Sequence, residues 1–226
     1  MKVTVFALKK ELKKLADLQR AKNLQRFFKT GKGDYGEGDV FLGITVPLSR
    51  KIAIRFKELD LSSIEKLLHS KFHEERLIVL LILVHNFEKG DENLKKRIYN
   101  FYLEHTKYIN NWDLVDSSAD KIVGSYLFAR QSRLSDDTQL INIKSSIKSA
   151  SLSKIRHQSE TKPNFNSSES GLPRANNVLL KLAKSKSLWE RRIAVLATFQ
   201  FIKNKQYSDS LEIAEILLND EHDLIH

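Results

Sequence analysis

Apolar residues recur at helical spacing along most of the chain, and almost nothing interrupts them. Among 226 residues there are 8 glycines and 3 prolines. A chain so poor in breakers and so rich in Leu, Ile, Lys and Glu favours helix over sheet. In residues 4–29, Phe6, Leu8, Leu12, Leu15, Leu18 and Leu24 fall near i, i+3, i+4 spacing with lysines between them, which predicts one or two amphipathic helices. Pro47 suits the first turn of a helix over Leu48 to Glu58, with Thr45 as its cap. Ser62 or Ser63 opens another, through His69.

Phe72 to Phe87 reads as a central helix, apolar nearly all round, with His73-Glu74-Glu75 as its surface. Its most apolar stretch, Leu77 to Val84, is far shorter than the ~20 residues of a membrane span. Residues 93–108 follow as a helix, and Asn110 and Asn111 cap one from Trp112 to about Ala129. Residues 177–186, 188–203 and 208–218 restore the pattern. Helices of ~12–16 residues, paired every ~40, match the period of HEAT-type repeats. The expected fold is all-α: an α-α superhelix of HEAT-like helical repeats in a single domain over residues 1–226. Residues 130–176 depart from it. They are rich in Ser, hold two of the three Pro, and read as a flexible basic insertion.

A net charge of +10 concentrates anions around the protein, and nucleic acid is the commonest polyanionic partner. There is no Cys, which excludes disulfides, thiolate zinc sites and a cysteine nucleophile and fits a reducing, intracellular and cytoplasmic setting. The N-terminus lacks the apolar run of a signal peptide. The seven His show no H-E-x-x-H spacing, and no G-x-S-x-G occurs, so neither a zinc hydrolase nor a serine hydrolase is expected.

Three segments carry possible chemistry. Five of the glycines lie between Gly31 and Gly43, without the G-x-x-x-x-G-K-[ST] phosphate loop; Lys29 and Lys32 make this a shaped basic loop. In Asn111-Trp112-Asp113-Leu114-Val115-Asp116, Trp112 and Asp116 are four apart and share a helix face. A carboxylate stabilises developing positive charge, and an indole offers a cation–π surface. The same pattern also suits an ordinary helix start, with Asp against the macrodipole and Trp in the core. Asp113, Asp116 and Asp120 together can hold a hard cation, but no further acidic ligand stands near them. In Trp189-Glu190-Arg191-Arg192, Trp189 belongs to the core and the two arginines lie on different faces; one of them can meet a phosphate, Glu190 can pair with Arg191 or another neighbour, and a solvated helix face is the alternative.

These segments also bring a resemblance. Phe27-Phe28-Lys29, Phe41-Leu42-Gly43-Ile44 with Pro47 and Arg50, Asn111 to Asp116, Trp189 to Ala194 and the closing His222-Asp223-Leu224-Ile225-His226 resemble the AlkD-like DNA alkylation repair family. The resemblance covers nearly the whole chain apart from the insertion. It implies a DNA glycosylase of HEAT-like repeats that cleaves the N-glycosidic bond of cationic N3- and N7-alkylated purines without flipping the base, binding duplex DNA in a concave basic groove. By the same resemblance Asp116 is the catalytic carboxylate and Trp112 the sugar-facing indole, while Arg192 faces a phosphate. Lys29, Lys32 and Arg191 complete the expected DNA contacts. No metal or organic cofactor is implied, and a monomer is expected. The family's further Trp, in a Gly-Trp motif beyond the His-Asp-Leu-Ile-His stretch, falls past His226, so the chain reads as shorter than its relatives. The alternative is a non-catalytic helical-repeat protein that binds DNA or serves as a protein scaffold.

Overall fold

The computed structural model describes residues 3–134 and 176–226. Within them the chain is all-α, built as the packed helices of an α-α superhelix. The two expected N-terminal helices are α1 (Val5–Leu15) and α2 (Leu18–Phe27), separated where Asp17 turns extended and caps α2 through the Arg20 N–H. Next come α3 (Val46–Arg55), α4 (Leu61–Leu68), α5 (His73–Lys89), α6 (Glu92–Glu104) and a single 3-10 turn, Thr106–Tyr108. The short helix α7 (Trp112–Asp116) leads into a π-helical turn, Asp120–Gly124, and helical residues 125–134. Residues 176–226 hold α8 (Asn176–Ala183), α9 (Leu188–Lys203) and α10 (Ser208–Leu217). Among the described residues the sole β pairing is an isolated bridge between Val40 and Phe72. No described helix is long and apolar enough to cross a membrane.

Two helices organise the core. Helix α5 packs on α3, α4, α6, α7 and the π turn; α9 packs on α7, α8, α10 and the π turn. Both are apolar around most of their circumference, as a helix surrounded by others must be. Ile78, Val79, Leu80 and Ile82 of α5 are fully buried, as are Ile193, Ala197 and Phe201 of α9. The π turn lies against α9 so closely that a Cβ on Gly124 would stand 2.4 Å from the Ala197 carbonyl oxygen. Only glycine permits that approach.

Four expectations change. Asp60, not Ser62 or Ser63, caps α4, accepting from the Ser63 N–H at 2.7 Å. Thr45 precedes α3 but makes no side-chain cap bond. The single helix expected from Trp112 to about Ala129 is broken after Asp116. There the Ser117 and Ser118 hydroxyls both donate to the Leu114 carbonyl, competing with the helical ladder, and the π turn follows. His73, Glu74 and Glu75 are not a surface at all: they are 1%, 1% and 4% exposed. Their charges are buried because each finds a partner on another segment: Glu75 pairs with Lys9 of α1 at 2.9 Å, and His73 and Glu74 are described next. Of the expected insertion, residues 130–134 continue the preceding helix, and 135–175 lie outside the described residues.

Candidate functional site

Charge at the start of α5 shapes the site. The Glu74 carboxylate accepts three backbone N–H groups from the loop before α3: Leu42 at 2.8 Å, Gly43 at 2.7 Å and Ile44 at 3.1 Å. Gly43, at φ +85°, lets this turn form, and its missing Cβ would otherwise stand 2.1 Å from the Asp17 carbonyl oxygen. One turn on, Arg76 pairs with Asp39, and His73 bridges two carboxylates, Asp39 at 2.9 Å and Asp113 at 2.8 Å. Asn111 joins the network by donating to Asp39 at 2.9 Å, while its side-chain oxygen accepts the Trp112 N–H and caps α7. The glycine-rich loop, the start of α5 and the start of α7 are thus tied together by one buried network.

Burial alone would lower the pKa of His73. The hydrogen bonds and charges of Asp113 and Asp39 outweigh it and lift the imidazole to about 9. Burial alone would raise Asp39, but the His73 hydrogen bond, the Arg76 charge and Asn111 hold it below its ordinary value. Because the His73 pKa is raised on folding, its stabilisation is full below its ordinary value of 6.5 and is lost as pH rises through about 9. Denaturant unfolding should therefore show a protein less stable at about pH 9.5 than at about pH 6.5, by up to roughly 3 kcal/mol. The His73→Gln variant should lose most of that dependence.

On this platform stands Trp112, half-buried. Its ring stacks on Phe28 at 5.0 Å and meets Phe27 edge-on at 6.0 Å; Phe28 stacks in turn on Phe41, and Phe41 on His73. Trp112, Phe27, Phe28, Phe41 and Asp113 line a cleft of about 330 Å³, with Arg20 at its edge. Leu114, Val115 and Ser118 point into the core, leaving Trp112, Asp113 and Asp116 on the more open side of the short helix.

Asp116 keeps a third of its side chain exposed and meets Arg192 of α9 side-on. Both contacts are 2.7 Å, from Nε to Oδ1 and from Nη2 to Oδ2. Arg192 also donates through Nη1 to the Leu224 carbonyl oxygen. A guanidinium carries five N–H groups, so two remain for another acceptor. Arg191 is engaged elsewhere, with Asp220 accepting from its Nε at 2.5 Å and the Ser185 and Lys186 carbonyls from its Nη1. Trp189 is in the core as expected, and Tyr35 of the glycine-rich loop meets it edge-on at 6.1 Å. Exposed Lys29 lies over that same Tyr35 ring, which links the basic loop to the helix carrying Arg192; Lys32 is exposed on the same loop.

The three aspartates do not converge on one cation. Asp113 faces His73, Asp116 faces Arg192, and Asp120 faces Lys121 and Lys203. Sequence spacing missed the His73, Glu74, Arg76 and Asp39 network. A signal was available: a helix apolar all round that opens with four charged residues has no wet face on which to put them.

A family profile described as DNA alkylation repair enzyme matches residues 8–145 and 164–226, leaving out residues 1–7 and part of the expected insertion. No individual curated protein matches the chain. The profile takes in the basic loop, the buried network, the Trp112–Asp116 helix and the Arg192 helix, and so spans most of the sequence. The chain belongs to the family of DNA alkylation repair enzymes.

Proposed function

We propose that the protein is a DNA glycosylase that hydrolyses the N-glycosidic bond of cationic N3- and N7-alkylated purines in duplex DNA. The observation that carries this reading is the pairing of a part-exposed carboxylate, Asp116, with an indole, Trp112, one helical turn away on the same short helix. An alkylated purine already bears positive charge and leaves readily. Its departure leaves an oxocarbenium-like sugar, which a fixed carboxylate stabilises. Trp112 is braced by Phe27 and Phe28, so its ring can lie against the deoxyribose without losing its position.

Arg192 has two roles in this account. It orients the Asp116 carboxylate through a two-point contact, and its remaining N–H groups take a backbone phosphate of the damaged nucleotide. Lys29 and Lys32 supply further phosphate contacts from the loop. Arg191 is engaged by Asp220, so it ties the segment after α10 to the helix that carries Arg192 rather than meeting a phosphate itself. The stacked helices act as HEAT-like pairs forming a basic groove for the duplex. The chemistry needs no metal or organic cofactor, and the protein works as an intracellular monomer in base excision.

The competing reading is a DNA-binding or scaffold protein without catalysis. Duplex binding and base release separate the two. Binding should weaken steeply with salt, because each phosphate contact releases counterions. Free 7-alkylguanine should appear when purified protein meets alkylated duplex. Salt-dependent binding with no release would favour the competing reading.

A further inference from the structure

We propose that Glu65, His69 and His105 form a binding site for one zinc ion, joining the C-terminal ends of α4 and α6. Among the described residues they are a group of three metal-ligating side chains whose ligand atoms all lie within 4.8 Å of one another. Glu65 and His69 are four apart at the end of α4, and His105 reaches them from a segment about 40 positions on. None of them touches the Asp116–Arg192 pair or the buried His73 network.

The position of one proton favours a metal here. His105 Nδ1 lies 2.7 Å from the Phe101 carbonyl oxygen. A carbonyl only accepts, so Nδ1 carries the hydrogen and the neutral ring presents its lone pair at Nε2. That lone pair faces Glu65 Oε1 at 3.4 Å. A carboxylate oxygen and an imidazole nitrogen so placed are joined either by a proton on Nε2 or by a cation between them. A shared proton would draw an imidazolium and a carboxylate to about 2.7–2.9 Å. Two ligands of a tetrahedral zinc, each bonded at about 2.0–2.1 Å, stand about 3.3–3.4 Å apart. The 3.4 Å between Nε2 and Oε1 matches that ligand spacing, and with all three ligand atoms within 4.8 Å of one another a modest contraction would close the site.

The surroundings agree. A ligating His commonly donates its other nitrogen to a backbone carbonyl, as His105 does to Phe101. Glu65 and His69 are one helical turn apart and so project on one side of α4. The His69 ring is steadied against Tyr108 at 3.9 Å. His69 and His105 are the C-caps of α4 and α6, where the helix carbonyl ends favour a cation. Two nitrogen donors select against Mg²⁺ and Ca²⁺ and suit zinc, with the fourth position left to solvent. A bound ion would clamp α4 to the end of α6, just before the segment that leads into Trp112.

Metal-free full-length protein, titrated with zinc chloride by calorimetry and followed by thermal unfolding, tests this. We expect one ion per chain at neutral pH and a rise in Tm. Cobalt(II) should give the visible absorption of a four-coordinate site. His69→Ala and Glu65→Gln alter exposed or half-exposed side chains and should stay folded while weakening zinc at least about tenfold. His105→Ala should abolish binding. His222→Ala, beside the separate His222–Asp223 contact, should bind as wild type does. Absence of stoichiometric zinc binding, or unchanged affinity in folded His69→Ala and Glu65→Gln, would overturn the proposal.

Discussion

Replacing Asp116 with Asn is expected to slow release of a cationic alkylpurine by about 10²–10³-fold, which is the cost of removing one preorganised group that stabilises transition-state charge. That factor corresponds to roughly 3–4 kcal/mol of transition-state stabilisation. The amide has the shape of the carboxylate but no charge, so the oxocarbenium-like sugar loses its counterion. One of the two Arg192 contacts also turns from N–H facing oxygen to N–H facing N–H. Because the pair is partly exposed, with Asp116 a third open to solvent, folding stability should fall by no more than about 1 kcal/mol. Duplex affinity should hold or rise slightly, since a negative charge near phosphate has gone. The signature is a drop in single-turnover release with binding intact. Wild-type rates in the variant would remove Asp116 from the chemistry.

The second large effect is on folding. Glu74→Ala should cost about 3–5 kcal/mol, read as a lower urea midpoint, because it strands the buried N–H groups of Gly43 and Ile44 and the part-buried N–H of Leu42, all of which donate to this carboxylate. Glu74 is 1% exposed, so water cannot take its place without rearrangement. Exposed Glu88, on the same helix, is the control, and Glu88→Ala should change stability by less than about 0.5 kcal/mol. The loop that Glu74 holds also contains Asp39, which links through His73 to Asp113 on the Trp112 helix. Loss of Glu74 should therefore reduce base release as well. A Glu74→Ala variant as stable as wild type would mean that the loop does not depend on this carboxylate.

Periodicity made the helices legible because their apolar faces are continuous. The helix over 188–203 has the expected bounds, and 177–186 and 208–218 differ from the observed helices by one to three residues. The break after Asp116 was not legible. Ser117 and Ser118 look like ordinary helical positions until their hydroxyls are seen to claim the Leu114 carbonyl. Trp112 and Asp116 stood out because an indole and a carboxylate four apart share a face whatever follows. Their supports did not stand out. Phe28 and Phe41 come from the region of the glycine-rich loop, His73 from α5 and Arg192 from α9, and only the packed chain brings them together. Arg191 and Arg192 are adjacent and alike in sequence. Packing alone gives one to Asp220 and the other to Asp116.

The central claim is that Asp116 acts on a nucleotide made reactive by its own positive charge. The most direct test is single-turnover release from two duplexes that differ only in the lesion, one with 7-methylguanine and one with uncharged uracil at the same position. The account predicts free 7-methylguanine well above the spontaneous rate and no detectable uracil. Release of both bases at similar rates, or of neither by protein that binds the duplex, would contradict it.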